Sequence, residues 1–174
     1  MIDDIDDETQ ARWRERGGII RIGLDDQDRL VGFIPIDRLL EITDPIAEPP
    51  WHDGPDVSRE GVLSAISEGR FEQRPYSSDL LSVGRRDWNS RRHEERIAWL
   101  VLNPPADPIE IEIDQYCGVG IDDGMHRLFA AVVREDRTAF IQLGGYIDYA
   151  PETIGVVCHA ENVERQEPQS APVC

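Results

Sequence analysis

The clearest pattern in the chain lies past its midpoint. From Pro108 to Asp114, Ile109, Ile111 and Ile113 alternate with Glu110, Glu112 and Asp114, which predicts a strand with one buried face. The stretch from Tyr116 to Ile121 predicts a second short strand running into an acid-glycine turn. A helix is predicted from Met125 to about Arg134, with Leu128, Phe129, Val132 and Val133 on its core side. Residues 138–143, TAFIQL, read as another strand, closed by Gly144-Gly145. The expectation is that 109–114 and 138–143 belong to one sheet, connected through the helix.

The first half is less regular. Its opening residues are mostly acids and pass into a short helix from about Glu8 to Arg16, which Gly17-Gly18 ends. Gly18–Ile22 and Leu30–Pro35 read as strands, and Asp25-Asp26-Gln27-Asp28 between them has turn composition, so a hairpin is expected. Ile36 to Glu41 suits a short helix entered just after Pro35. Residues 43–56 hold four prolines with Trp51 and His52, and no regular element can run through them. Ser58 or Asp56 is expected to cap a helix through Ile66 that Gly69 ends. Segment 70–89 has no clear pattern. A firmer helix runs from Ser90 to Leu102, with Ile97, Leu100 and Val101 on its apolar face, until Asn103-Pro104-Pro105 stops it. His93, one turn before Ile97, reads as a partly buried helix histidine. These elements predict a mixed α/β domain over 18–159, preceded by an acidic segment and short helix at 1–17 and followed by a disordered tail at 160–174.

A length of 174 residues, 40% apolar and 30% charged, fits one ordinary globular domain. Nothing resembles a secretory signal or a membrane span. Cys117, Cys158 and Cys174 are too few and too uneven for a disulfide framework, so a reducing, cytoplasmic setting is expected. Their spacing with His126 and His159 is not that of a zinc motif. The 18 basic residues, all arginine, face 35 acids, a formal charge of -17. A field of that sign repels polyanions, so generic duplex DNA and anionic membranes are poor partners, while a protein partner stays open. One segment departs from the average. Residues 85–96 read RRDWNSRRHEER, which suits either a solvated helix pairing its own charges or the basic rim of a cleft. Trp51 and Trp88 suit packing better than stacking on a base.

Candidate chemistry concentrates at Asp122-Asp123-Gly124-Met125-His126-Arg127. A helix start leaves backbone N–H groups unpaired and carries partial positive charge. Gly124 would let the backbone approach a ligand, and His126 and Arg127 follow in the first turn, so a phosphate could be held there. Asp122 and Asp123 would repel a bare phosphate unless a divalent cation lay between, which makes them candidate Mg²⁺ ligands. Asp123 and His126 are the candidate acid–base residues. The alternative is structural: Asp123 caps the helix and pairs with Arg127 at i,i+4.

The run Ile121-Asp122-Asp123-Gly124-Met125-His126-Arg127-Leu128-Phe129-Ala130-Ala131 resembles the DG-x-HR-x-x-A-A signature of the ParB/sulfiredoxin-like superfamily. Pro108–Ile111 resembles the family's P-I-x-V strand, Arg96–Leu100 the helix ahead of it, and Ile34–Leu39 its opening V/I-P-I-x-x-L segment. The likeness spans about 31–145 and is dense only over 96–143. It implies a small α/β fold that binds a nucleotide, ATP or CTP with Mg²⁺, by its phosphates. It places Gly124 and Met125 in the phosphate turn, His126 and Arg127 on phosphate oxygens, and Asp123 near a cation. Members include CTP-binding partitioning proteins, ATP-using sulfiredoxins, small-molecule kinases and nuclease-like proteins. Met125 stands where sulfiredoxins carry their nucleophilic cysteine, so that chemistry is not expected. The stretch after Leu143 is too short for the helix-turn-helix module of the partitioning proteins. Two function classes therefore stay open. One is a nucleotide-dependent phosphoryl-transfer or phosphoester-cleaving enzyme. The other is a noncatalytic nucleotide- or protein-binding module, including an acidic regulator or nucleic-acid mimic.

Overall fold

The computed structural model of the chain describes residues 5–45, 57–74 and 89–162. Trp51, His52 and Trp88, the arginines at 85 and 86, and the tail beyond 162 lie outside the described residues. The chain order is α1 (Asp7–Arg14), β1 (Ile20–Leu24), β2 (Leu30–Pro35), α2 (Ile36–Ile42), α3 (Arg59–Ser67), α4 (Ser90–Leu102), β3 (Ile109–Ile113), β4 (Val119–Asp123), α5 (Met125–Arg134), β5 (Thr138–Gly145), a 3₁₀ turn (Ile147–Tyr149), α6 (Ala150–Thr153) and β6 (Val156–Asn162). The strands form a six-stranded mixed sheet in the order β4-β3-β5-β2-β1-β6. This is a mixed α/β fold.

Alternation does what the isoleucine pattern predicts. Ile109, Ile111 and Ile113 are buried against Ile141, Leu143, Leu128 and Ala131. Glu110 and Glu112 point to the opposite face. The strands β3 and β5 pair in parallel, from Ile109 opposite Ile141 to Ile113 opposite Gly145. On that opposite face Phe33 and Phe140 sit directly across β2 and β5, their ring centroids 5.2 Å apart.

Helix α5 is the centre of the molecule. Leu128 and Ala131 face the sheet. Phe129, Ala130 and Val133 face α3 and α4, where Val62, Ala65, Ile97, Ala98 and Leu100 complete a second core. The sequence pattern placed Leu128, Phe129, Val132 and Val133 on a single core side. The helix is instead buried on two sides because a second helical layer covers it.

The far edge was not anticipated. Strand β6 pairs in parallel with β1, from Ile20 opposite Val156 onward, and it continues through Asn162, beyond the expected tail boundary at 160. Helix α1 closes over this edge. Trp13 is buried and its indole Nε1 donates to the Pro151 carbonyl at 2.7 Å. Gly155 turns with φ of +64°, and a Cβ there would strike the Trp13 ring. Arg38 of α2, buried to 4% exposure, lies over Trp13 with its Cζ 4.6 Å from the ring centre. One guanidinium nitrogen, Nη1, donates to the carbonyls of Ile154 and Gly155, and the other, Nη2, to those of Arg16 and Gly18. One side chain thus ties α1, α2 and the approach to β6 together.

Candidate functional site

Helices α1, α3 and α4 each start with a side-chain cap. Asp6 accepts from Thr9 N, Ser58 from Gly61 N and Asn89 from Arg92 N. Helix α5 starts without one. Its N-cap position is Gly124, held at φ of +105°, where a Cβ would meet the Ile109 Cα at 3.0 Å and Arg127 Nε at 2.9 Å. Only glycine fits a left-handed residue pressed this closely on β3. The Gly124 carbonyl accepts from Leu128 N at 2.9 Å, which begins the helix. Among the described residues, no side chain caps the first turn of α5.

Asp123 therefore does not cap α5. It and Asp122 are the last two residues of β4 rather than members of a loose turn, and both are exposed. Successive strand residues alternate in direction, so the two carboxylates do not converge. Asp123 instead accepts from Arg127 Nη2 at 2.8 Å, the i,i+4 ion pair open to the sequence. The pair is uneven: the Asp123 side chain is 66% exposed and that of Arg127 only 18%. Arg127 Nε is buried and has no hydrogen-bond partner among the described residues.

His126 turns the other way, toward α4. Its Nε2 lies 2.8 Å from His93 Nδ1. The ring planes are 10° apart with centroids at 5.1 Å, which is the geometry of two rings joined edge to edge through an N–H···N bond. His93 is buried and burial alone pushes its pKa down to about 4. The pKa of His126 is pushed well below the ordinary value, first by burial and then by the positive neighbours His93, Arg96 and Arg127. Both rings are therefore neutral at pH 7.

Arg96 stands one turn beyond His93 on α4. Its Nη1 donates to the Gln73 carbonyl at 2.7 Å. Burial lowers its pKa, the Glu72 carboxylate opposes that, and Arg127 adds to it, so the two guanidinium groups share one field. Glu72 is tied to Arg74, whose hydrogen bonds hold its carboxyl at about 2. The arginine-rich segment divides accordingly. Arg91 pairs with Glu95 at 2.9 Å on the solvent side, as a solvated helix would, while Arg96 joins the α5 start.

Gly124, His126 and Arg127, which the sequence singled out, lie at the start of α5, with His126 directed to His93 and Arg127 to Asp123. The sequence did not connect His93 or Arg96 to them. The i,i+3 spacing of those two residues on one helix was a signal that they share a face, but the facing partner could not be read from α4 alone. Met125 is packed against the sheet core, so it supplies its backbone to the turn and its thioether to packing. Cys117 lies in the β3–β4 hairpin and Cys158 in β6, at opposite edges of the sheet, and cannot share a metal.

Among the described residues, no group of three or more His, Cys, Asp or Glu side chains converges as a metal site. No described helix is long and apolar enough to cross a membrane. A depression lined by Glu112, Asp114, Gly118, Val119 and Gly120 lies at the hairpin end of β4, the opposite end from Gly124, and its charge does not suit an anion. Comparison with protein-family models, with curated proteins and with solved structures returns no match.

Proposed function

We propose that this chain is a nucleotide-binding module of the ParB/sulfiredoxin-like type that holds phosphate oxygens at 124–127. The observation that carries the reading is Arg127: a guanidinium mostly covered, beside an uncapped helix start, with a buried Nε that has no partner among the described residues. Buried donors are normally satisfied, and an orphan one calls for an explanation. A phosphate oxygen at the end of α5 would supply the acceptor and meet the first-turn amides and the helix dipole together. Arg96 adds a second positive charge to the same field. These features give anion selectivity within a chain of net charge -17.

Binding without turnover is the better supported class. His126, the candidate general base, has its Nε2 engaged by His93, and Asp123, the other candidate, is engaged by Arg127. Mg²⁺ is commonly held by one or two carboxylates together with substrate phosphates. A Mg²⁺ arriving on ATP or CTP would find in Asp123 a single exposed carboxylate of that kind, with the phosphates supplying the rest. A cytoplasmic setting, where such nucleotides are abundant, agrees with this assignment.

Calorimetric titration of the full chain with ATP and CTP, with and without Mg²⁺, tests the proposal. A charge-assisted hydrogen bond contributes about 1.5 to 3 kcal/mol, so Arg127→Ala should weaken binding about 10- to 100-fold. If neither nucleotide binds the wild type, or the variant binds equally well, the phosphate site is refuted.

A further inference from the structure

We propose that His93 and His126 form a proton-sharing pair that couples anion occupancy of the α5 start to proton uptake, so that an oxyanion enters together with a proton. The inference rests on the phosphate-site reading and adds to it a residue, His93, and a thermodynamic partner, the proton.

The geometry sets how many protons the pair can carry. Two neutral imidazoles joined by one N–H···N bond place a single hydrogen between His93 Nδ1 and His126 Nε2, 2.8 Å apart. Each ring also has a second nitrogen. A third proton can settle on the outer nitrogen of the ring that donates, and the bond survives as imidazolium to imidazole. A fourth would put hydrogens on both facing nitrogens and force the rings apart. The pair is thus built to take one extra proton without opening α4 from α5.

What opposes that proton is local. The charged groups that act on the pair include Arg96 on α4 and Arg127 on α5, with Glu72 of the segment after α3 acting on Arg96 and Asp123 of β4 paired to Arg127. Of these, Arg96 and Arg127 are the charges that oppose a proton on His126, with Arg127 only partly offset by its exposed partner Asp123. An oxyanion lodged between them at the helix start neutralises that field at short range, where Coulomb energies are large. The opposition then becomes an attraction, and the pair gains a proton as the anion binds. Linkage requires the reverse as well: the anion binds more tightly at lower pH.

The test is a pH titration of the histidine ring signals of the full chain by NMR, in sodium sulfate and in sodium chloride of matched ionic strength. Sulfate is the probe because it keeps its double charge across the titration range, whereas phosphate does not. The apparent pKa of the pair should rise by about one pH unit in sulfate relative to chloride, a tenfold gain in proton affinity. The rise should vanish in Arg127→Gln. A pair that titrates, or a fold that opens, at the same pH in both salts overturns the coupling, as does a rise that persists in Arg127→Gln. The two proposals fail separately. Nucleotide binding that depends on Arg127 without a sulfate-dependent shift removes only the proton coupling, and absence of nucleotide binding removes the site itself.

Discussion

Two arginines divide the molecule between them. Arg38 is buried at the β6 edge and gives both terminal nitrogens to four backbone carbonyls while stacking over Trp13. Arg127 is also largely covered, yet it spends one nitrogen on an exposed carboxylate, and its Nε has no partner among the described residues. The first is a finished structural joint. The second keeps hydrogen-bonding capacity in reserve, and on the proposed reading that difference separates a residue that holds the fold from one that serves a ligand. Stability and affinity should therefore respond in opposite ways at the two positions.

The largest effect belongs to Arg38. Replacing it with alanine leaves four carbonyls short of a donor and opens the contact over Trp13. Losing one partner of a buried charged network costs about 3 to 5 kcal/mol, or roughly 10 °C in melting temperature for a chain of this size. Lysine keeps the charge but cannot fork between two pairs of carbonyls, so Arg38→Lys should fall between. Thermal melts followed by circular dichroism measure this. If Arg38→Ala melts within a degree or two of the wild type, the joint contributes nothing and the contrast with Arg127 collapses.

Next comes acid. The pKa of His93 is about 4 in the fold and about 6.5 in the unfolded chain. A depressed histidine stabilises the fold fully above the unfolded value and loses that contribution as pH falls from about 6.5 toward 4. Between pH 7.5 and 4.5 the loss should reach about 2 to 3 kcal/mol from His93, with His126 adding in the same direction. The carboxylates of Asp25 and Glu72, held at about 2 by their arginine partners, act in a lower window. Urea denaturation at pH 7.5, 5.5 and 4.5 reads the effect, and His93→Gln should make the decline shallower. A wild-type curve flat down to pH 4.5 would show that the histidines are not held neutral by the fold.

Much of this was legible in sequence, for reasons that differ by region. The alternating isoleucines of β3 and the apolar stretch of α5 each report burial locally, and both elements lie where the pattern put them. Strand β6 was missed because VVCHAEN alternates poorly and runs into an acidic tail. Its pairing with β1 is a long-range choice that no local window contains. Arg38 was invisible for the same reason: its partners at 16, 18, 154 and 155 are scattered, and an arginine in a short helix reads as surface. At the candidate site, Gly124, His126 and Arg127 were adjacent in the chain and so could be found together. His93 and Arg96 came from another helix, and the fate of Asp123, exposed beside Arg127 rather than over the helix end, depended on where β4 stopped.

Arg127→Ala should barely move the melt. The pair it loses is an exposed one on the Asp123 side, and such pairs contribute about 0.2 to 1 kcal/mol. The truncation also removes a buried donor that has no partner among the described residues. Set beside Arg38→Ala in the same assay, it should therefore lie within about 1 kcal/mol of the wild type. A loss as large as that at Arg38 would make Arg127 a second structural joint and weaken the case for a ligand.

The smallest effect is expected at Asp123, and it sharpens the comparison most because its sign carries the information. In the free protein Asp123 occupies Arg127 Nη2, so an incoming phosphate must displace it or share the guanidinium. Asp123→Asn removes that competitor and a negative charge from beside the anion. Since the pair contributes only about 0.2 to 1 kcal/mol, the variant should bind nucleotide about 1.4- to fivefold more tightly without Mg²⁺. With Mg²⁺ the gain should disappear, because the cation relieves the same repulsion in the wild type and takes the carboxylate as a ligand. Stability should hardly change, since Gly124 and not Asp123 occupies the N-cap position of α5. Calorimetry of both proteins, each with and without Mg²⁺, gives four affinities. Tighter metal-free binding that the metal cancels identifies Asp123 as the occupant that the ligand displaces. Weaker binding of the variant under both conditions would mean that the carboxylate holds Arg127 in its binding pose, and Arg127 would then be a residue placed by its partner in the same sense as Arg38.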